Sequence, residues 1–275
     1  MTRLVKKLLI GASVVVGAST MGAIPSYAGT LTGIQFDTDD IEVFYADDAE
    51  TALTDNDPLT NVELGASNEN QTENIGFSGM LGGKVVSVET VTAADWAIFG
   101  TQWINDFTTA YSGLSGLENV IAGYIDSAMS NPNVETRFGD PNVGGFTFDE
   151  NSGEYQLDLI GHYNLLNAPY LQSEEYSTMV NGLNFLLGGN PLQVSEMAKV
   201  TIDGVVNYAY SFSATDTGYD HADGSSHSGL YSWTLAGEPI QSAAIQSVPE
   251  PSTMLGLMAV GGLVTLSQRK SRNKV

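Results

Sequence analysis

Seven of this chain's ten Lys and Arg residues lie in its first seven or last seven positions. Arg3, Lys6 and Lys7 stand at one end, and Arg269, Lys270, Arg272 and Lys274 at the other. Between them only Lys84, Arg137 and Lys199 are basic. Of the thirty-two acidic residues all but Glu250 fall within 29–247, so three positive side chains there face thirty-one negative ones, a net charge of −28. Such a stretch cannot be knitted together by ion pairs, and its self-repulsion opposes compaction. Cohesion must come from apolar burial, because there is also no cysteine for a disulfide framework. About 220 residues are enough to bury one core without staples. The same charge excludes nucleic acid and other polyanions as partners. Divalent cations, salt or a cationic partner would relieve it.

The two basic ends read as addresses. After Arg3, Lys6 and Lys7 comes an apolar run over 8–18 interrupted only by Ser13, then Pro25 and the small-x-small pattern Ser26-Tyr27-Ala28. This is a secretory signal peptide over 1–28, with cleavage expected between Ala28 and Gly29 by signal peptidase after passage through the Sec export machinery. A lipidated N-terminus is excluded, since that chemistry needs a thiol and the chain has none.

At the other end, 248–275, Pro249-Glu250-Pro251 precedes an uncharged run over 254–266, and the basic cluster follows. Thirteen helical residues reach about 20 Å, short of the roughly 30 Å of a hydrocarbon core. Gly256, Gly261 and Gly262 interrupt the run further. The segment is a short transmembrane helix that spans by local thinning of the bilayer. Arg269, Lys270, Arg272 and Lys274 keep its end cytoplasmic.

This order of motif, short apolar run and basic cluster resembles the PEP-CTERM sorting signal. The resemblance implies recognition of Pro249, Glu250 and Pro251 by a membrane-embedded exosortase, transient anchoring in the inner membrane, and delivery to the cell surface or extracellular matrix. The middle also resembles a group of PEP-CTERM proteins without an assigned activity. Asp95-Trp96, Gly161-His162, 195–204 and 210–215 carry that likeness. It implies no mechanism.

Within 29–247 the pattern predicts one acidic extracytoplasmic α+β domain, an antiparallel sheet or sandwich with two or three inserted helices, and a linker over 238–247. Alternation places strands at 31–36, 41–45, 84–91, 145–148, 154–160, 197–202, 205–212 and 230–235. Residues 46–74 read as loop with little to bury. Asn151-Ser152-Gly153 and Asp203-Gly204 are hairpin turns. A helix opens at the capping box Thr92-x-x-Asp95 and carries Trp96, Phe99 and Trp103. A second opens at Ser115-x-x-Glu118 and places Leu117, Val120, Ile121, Tyr124, Ile125 and Met129 on one buried face. A third spans 173–187 and ends on Gly188-Gly189.

Chemistry is sparsely signalled. No G-x-S-x-G elbow and no H-E-x-x-H motif occurs. His221 and His227, interleaved with Asp216, Asp220 and Asp223, form the one loop with the residue types for a transition metal. Acidic clusters at 37–40, 47–50 and 55–57 lack the Gly and closing Glu of a calcium loop, so they predict no built metal site and only weak Ca2+ binding. No cofactor or catalytic residue is assigned. The expectation is a non-enzymatic surface or matrix protein in contact with polysaccharide or cations. The alternative is a secreted carbohydrate-active or metal-dependent enzyme working from 216–227.

Overall fold

The computed structural model describes residues 28–237 except 56, 58, 68–72, 131–138, 175 and 220–225. The leader expected over 1–28, apart from its last residue Ala28, lies outside the described residues, as do the linker, Pro249, Glu250, Pro251 and the basic cluster. Among the described residues no helix is long and apolar enough to cross a membrane.

Two antiparallel sheets and a helical layer make an α+β fold. The strands are β1 (Ala28–Thr30), β2 (Thr32–Phe36), β3 (Ile41–Phe44), β4 (Asn61–Leu64), β5 (Gly76–Leu81), β6 (Lys84–Glu89), β7 (Asn142–Asp149), β8 (Glu154–Gly161), β9 (Ala198–Ile202), β10 (Val205–Ala209), β11 (Thr215–Asp216) and β12 (Gly229–Ala236). The helices are α1 (Ala49–Thr54), α2 (Ala93–Ala110), α3 (Glu118–Ser130) and α4 (Ser177–Leu186). The first sheet runs β11-β12-β8-β7-β4-β3, with β1 also on β7, and the second runs β10-β9-β6-β5-β2.

Tight turns set the local hairpins. Gly82 and Gly83 have φ of 58° and 75°, and Asp203 and Gly204 have φ of 50° and 79°. Each pair supplies the two left-handed residues that a two-residue connection between twisted strands demands. Between β7 and β8 the carboxylate of Asp149 accepts from the Asn151 and Ser152 amides, at 2.8 and 3.3 Å.

Alternation then sorts each strand into an inner and an outer face. Phe146, Phe148, Leu157, Leu159, Tyr231 and Trp233 from the first sheet share a buried core with Phe77, Val86, Val88, Val200 and Ile202 from the second. That is sandwich packing. The chain enters and leaves the described fold at one end of the first sheet. Ala28 pairs with Asp149, Ala236 with Glu154, and the Gly237 amide reaches the Gly153 carbonyl at 2.7 Å.

A second core lies between α2 and the outer face of the second sheet. Trp96, Phe99, Trp103 and Phe107 recur at helical spacing and meet Tyr208, Tyr210 and Phe212. The helix begins where predicted, with Thr92 and Asp95 forming the capping box.

Three expectations are corrected. The supposed loop 46–74 contains α1, β4 and the fully buried Ala52, Leu53, Val62 and Leu64. Short elements with one or two inward residues leave too little period to be seen in sequence. The Ser115 capping box does not form: α3 starts at Glu118, whose Oε1 accepts from the Gly116 amide at 2.9 Å. Finally, the apolar face of α3 is rotated from the predicted one. Ile125 is buried and Ile121 packs on the core, whereas Val120 is 69 % and Leu117 37 % exposed. Ala122, beside Ile121, also packs on the second core. The expected faces at Tyr124 and Met129 lie outside the described side chains.

Candidate functional site

The densest polar cluster assembles at the start of α2, over the edge of the second core. Asp95 is 6 % exposed and collects its partners from four segments. Oδ2 accepts from the Thr92 amide at 3.1 Å, the Thr92 hydroxyl at 2.7 Å and the Asn74 amide nitrogen at 2.8 Å. Oδ1 accepts from the Tyr208 hydroxyl at 3.1 Å and lies 3.4 Å from Lys199 Nζ. Lys199 itself donates to Asn74 Oδ1 at 2.8 Å and stands 3.9 Å from Glu89 Oε2.

Strand order explains the meeting. Lys199 on β9 pairs with Glu89 on β6, and Glu89 pairs with Gly76 on β5. A long side chain leaving β9 therefore crosses β6 towards the segment that leads into β5, where Asn74 sits. Asn74 is oriented by a second bond, from its amide nitrogen to the Thr90 carbonyl at 2.8 Å.

Electrostatics separate the two carboxylates. Burial acts to raise the Asp95 pKa, but hydrogen bonds from Asn74 and Thr92 and the Lys199 charge outweigh it and hold Asp95 below its ordinary value. At Glu89 burial prevails over the pull of Lys199, so its pKa rises. Burial together with the adjacent Asp95 charge pushes the Tyr208 hydroxyl well above the usual tyrosine range. Among these residues the sequence reading gave Thr92 and Asp95 a structural role, as a helix cap, and gave Lys199 no partner. The missed signal was Lys199 itself, one of three basic residues in a domain with thirty-one acidic ones. A cation that rare beside an apolar strand has to be paired.

A groove of about 580 Å3 opens between α2 and α3. Trp96 lies across Gly100 so closely that a Cβ there would stand 2.6 Å from the indole. Its ring nitrogen donates to Asp126 Oδ1 at 2.7 Å. Asn105, Glu118, Asn119 and Asp126 supply amide and carboxylate groups around the groove, and exposed alanines and Thr101 form much of its wall. The Gly116 amide keeps the Glu118 carboxyl below its ordinary pKa.

Of the loop residues weighed for metal chemistry, His227 and Asp216 are among the described residues. His227 is buried, with its ring 4.8 Å from Phe44 and 5.9 Å from Tyr45 by centroids, and Nδ1 2.9 Å from Ser226 Oγ. Asp216 accepts from the Gly218 amide at 2.8 Å. His162 packs edge-on to Tyr170. His221, Asp220 and Asp223 lie outside the described residues. The acidic clusters turn out to organise their own loops. Asp48 caps α1, Asp55 accepts from Asp57 and Thr60, and Asp40 holds Ser67. Among the described residues no group of three or more His, Cys, Asp or Glu is arranged to hold a metal ion.

Residues 247–272 match the family described as the PEP-CTERM protein-sorting motif. This stretch includes Pro249, Glu250, Pro251, the apolar run, Arg269, Lys270 and Arg272. No curated protein and no solved structure matches the chain. The C-terminal signal is that of an exported protein sorted by an exosortase.

Proposed function

We propose that the exported domain is a non-catalytic protein of the cell surface or extracellular matrix that binds uncharged polysaccharide in the groove between α2 and α3. The groove carries this reading. Its size falls within the usual range for ligand sites, roughly 300–1,000 Å3. The exposed Ala93 and Ala97 offer apolar wall for a sugar's C–H groups, and Asn105, Glu118, Asn119 and Asp126 offer hydrogen-bonding groups for its hydroxyls.

Charge narrows the ligand. A domain carrying −28 between 29 and 247 repels acidic polymers, which leaves neutral chains or chains brought in by cations. Delivery by the sorting signal puts such a domain where polysaccharide is found.

Affinity electrophoresis of the exported protein through gels containing dextran or soluble cello-oligosaccharides tests the reading. The protein is expected to be retarded without shortening the chains, and Asn119→Ala is expected to relieve the retardation. Unretarded migration with every neutral polysaccharide, or release of reducing ends, overturns it.

A further inference from the structure

Lys199, Asn74 and Asp95 stand in the geometry of a reaction. We propose that the Lys199 amine and the Asn74 carboxamide join in a self-formed isopeptide bond, with Asp95 as the catalytic residue. Lys199 Nζ is 2.8 Å from Asn74 Oδ1, and the carbonyl carbon lies one C=O length, about 1.2 Å, from that oxygen. A small swing of the flexible lysine brings nitrogen to carbon at near-attack separation.

The leaving nitrogen is equally well held. Asn74 Nδ2 donates to the Thr90 carbonyl and to Asp95 Oδ2, each at 2.8 Å. Asp95 thus touches both reacting nitrogens, one through each carboxylate oxygen. Tyr208 acts as a positioning residue: its hydroxyl fixes Oδ1, and its ring is stacked on Phe99 with centroids 4.1 Å apart. The Asp95 side chain is 8 % and the Lys199 side chain 19 % exposed, which limits the water that could compete as nucleophile.

The step balances without an oxidant. Asp95 takes a proton from the Lys199 ammonium, and the freed amine attacks Asn74 Cγ to form the Nζ–Cγ bond. Asp95 returns that proton to Nδ2 as the Cγ–Nδ2 bond breaks. That proton completes the departing ammonia, and the second proton, which Nζ loses as it becomes an amide, leaves with it as ammonium. One amide replaces another, and the chain loses NH3, about 17 Da.

The product ties β9 to the entry of β5, across β6, between positions 125 apart in sequence. Closing so long a loop restricts the unfolded chain as a disulfide does. An exported domain with no cysteine gains by this route the covalent staple that secreted proteins usually draw from thiols.

Intact-mass measurement and peptide mapping of the full exported protein decide the matter. The expected result is a deficit of about 17 Da against the mass calculated for the processed chain, its two ends read from the same peptide map, with Asn74 and Lys199 recovered in one branched peptide. Lys199→Arg and Asn74→Ala are expected to show full mass. Asp95→Asn is expected to remain uncoupled while keeping a folded circular dichroism spectrum. Should that variant not fold, the wild-type mapping stands alone as the test. Full wild-type mass overturns the proposal, as does the deficit with Lys199 in a linear peptide, which marks a succinimide at an asparagine. Coupling that persists in Asp95→Asn removes Asp95 from the catalytic role.

Discussion

Phe99 lies nearly parallel to Tyr208, with ring centroids 4.1 Å apart and planes 13° off. The contact joins the middle of α2 to β10 and holds the helix over the outer face of the second sheet. Phe99 is 2 % exposed, so its ring has no route to solvent. Phe99→Ala is expected to destabilise the protein by about 3–5 kcal/mol through lost burial and the cavity left behind. Chemical denaturation monitored by tryptophan fluorescence measures it, because Trp96 and Trp103 belong to the same cluster.

The two glycines of the β5–β6 turn differ in what they face. A Cβ at Gly82 would meet the Phe148 ring at 2.7 Å, whereas one at Gly83 would meet nothing within 4 Å. Both have positive φ. Gly83→Ala therefore costs only the left-handed strain, about 1–2 kcal/mol. Gly82→Ala adds overpacking of a buried aromatic, a further 1–3 kcal/mol or so. Equal melting temperatures for the two variants would contradict the packing of this turn on the sandwich core.

Asp149 provides the acid-sensitive part of the β7–β8 turn. The Asn151 and Ser152 amides outweigh slight desolvation and lower its pKa below the ordinary 3.8. A depressed carboxylate contributes stability that is present above 3.8 and lost as the pH falls through the lower folded value. Asp149→Ala should therefore melt lower than wild type at neutral pH, and the difference should shrink as the pH drops below that window. A difference that persists unchanged in strong acid would assign the residue a role other than charge.

Apolar character alone does not predict cost. Phe185 is 84 % exposed on α4, and Phe185→Ser is expected to change stability by no more than about 0.5 kcal/mol. Leu157→Ala, at a fully buried position on β8, is expected to cost about 2–5 kcal/mol. Parallel urea titrations with equal slopes report both values.

Several elements were legible because their cause lies inside a few residues. Asp203-Gly204 adopts the positive φ values that its own residue types tolerate, and Thr92 and Asp95 cap α2 through atoms three positions apart. The strands with clear alternation, such as Tyr155-Gln156-Leu157-Asp158-Leu159, appear with the expected inward and outward faces. Where an element is short or its apolar arc is broad, the pattern underdetermines the result. Thus α1 and β4 were hidden in an acidic stretch, and α3 turned Val120 outward while seating Ile125 against the core.

The sequence by itself determined the sorting signal at the C-terminal end, the extreme acidity of the chain before it, the hairpin turns and the capped start of α2. These follow from composition, local backbone preference and hydrogen bonds of short span. Only the tertiary structure decided that the strands order as β9-β6-β5, and so that Lys199 reaches across Glu89 to Asn74 and Asp95. Contacts between positions 125 apart depend on which strands become neighbours. That choice is made by the summed burial of two cores, to which no single segment holds the key.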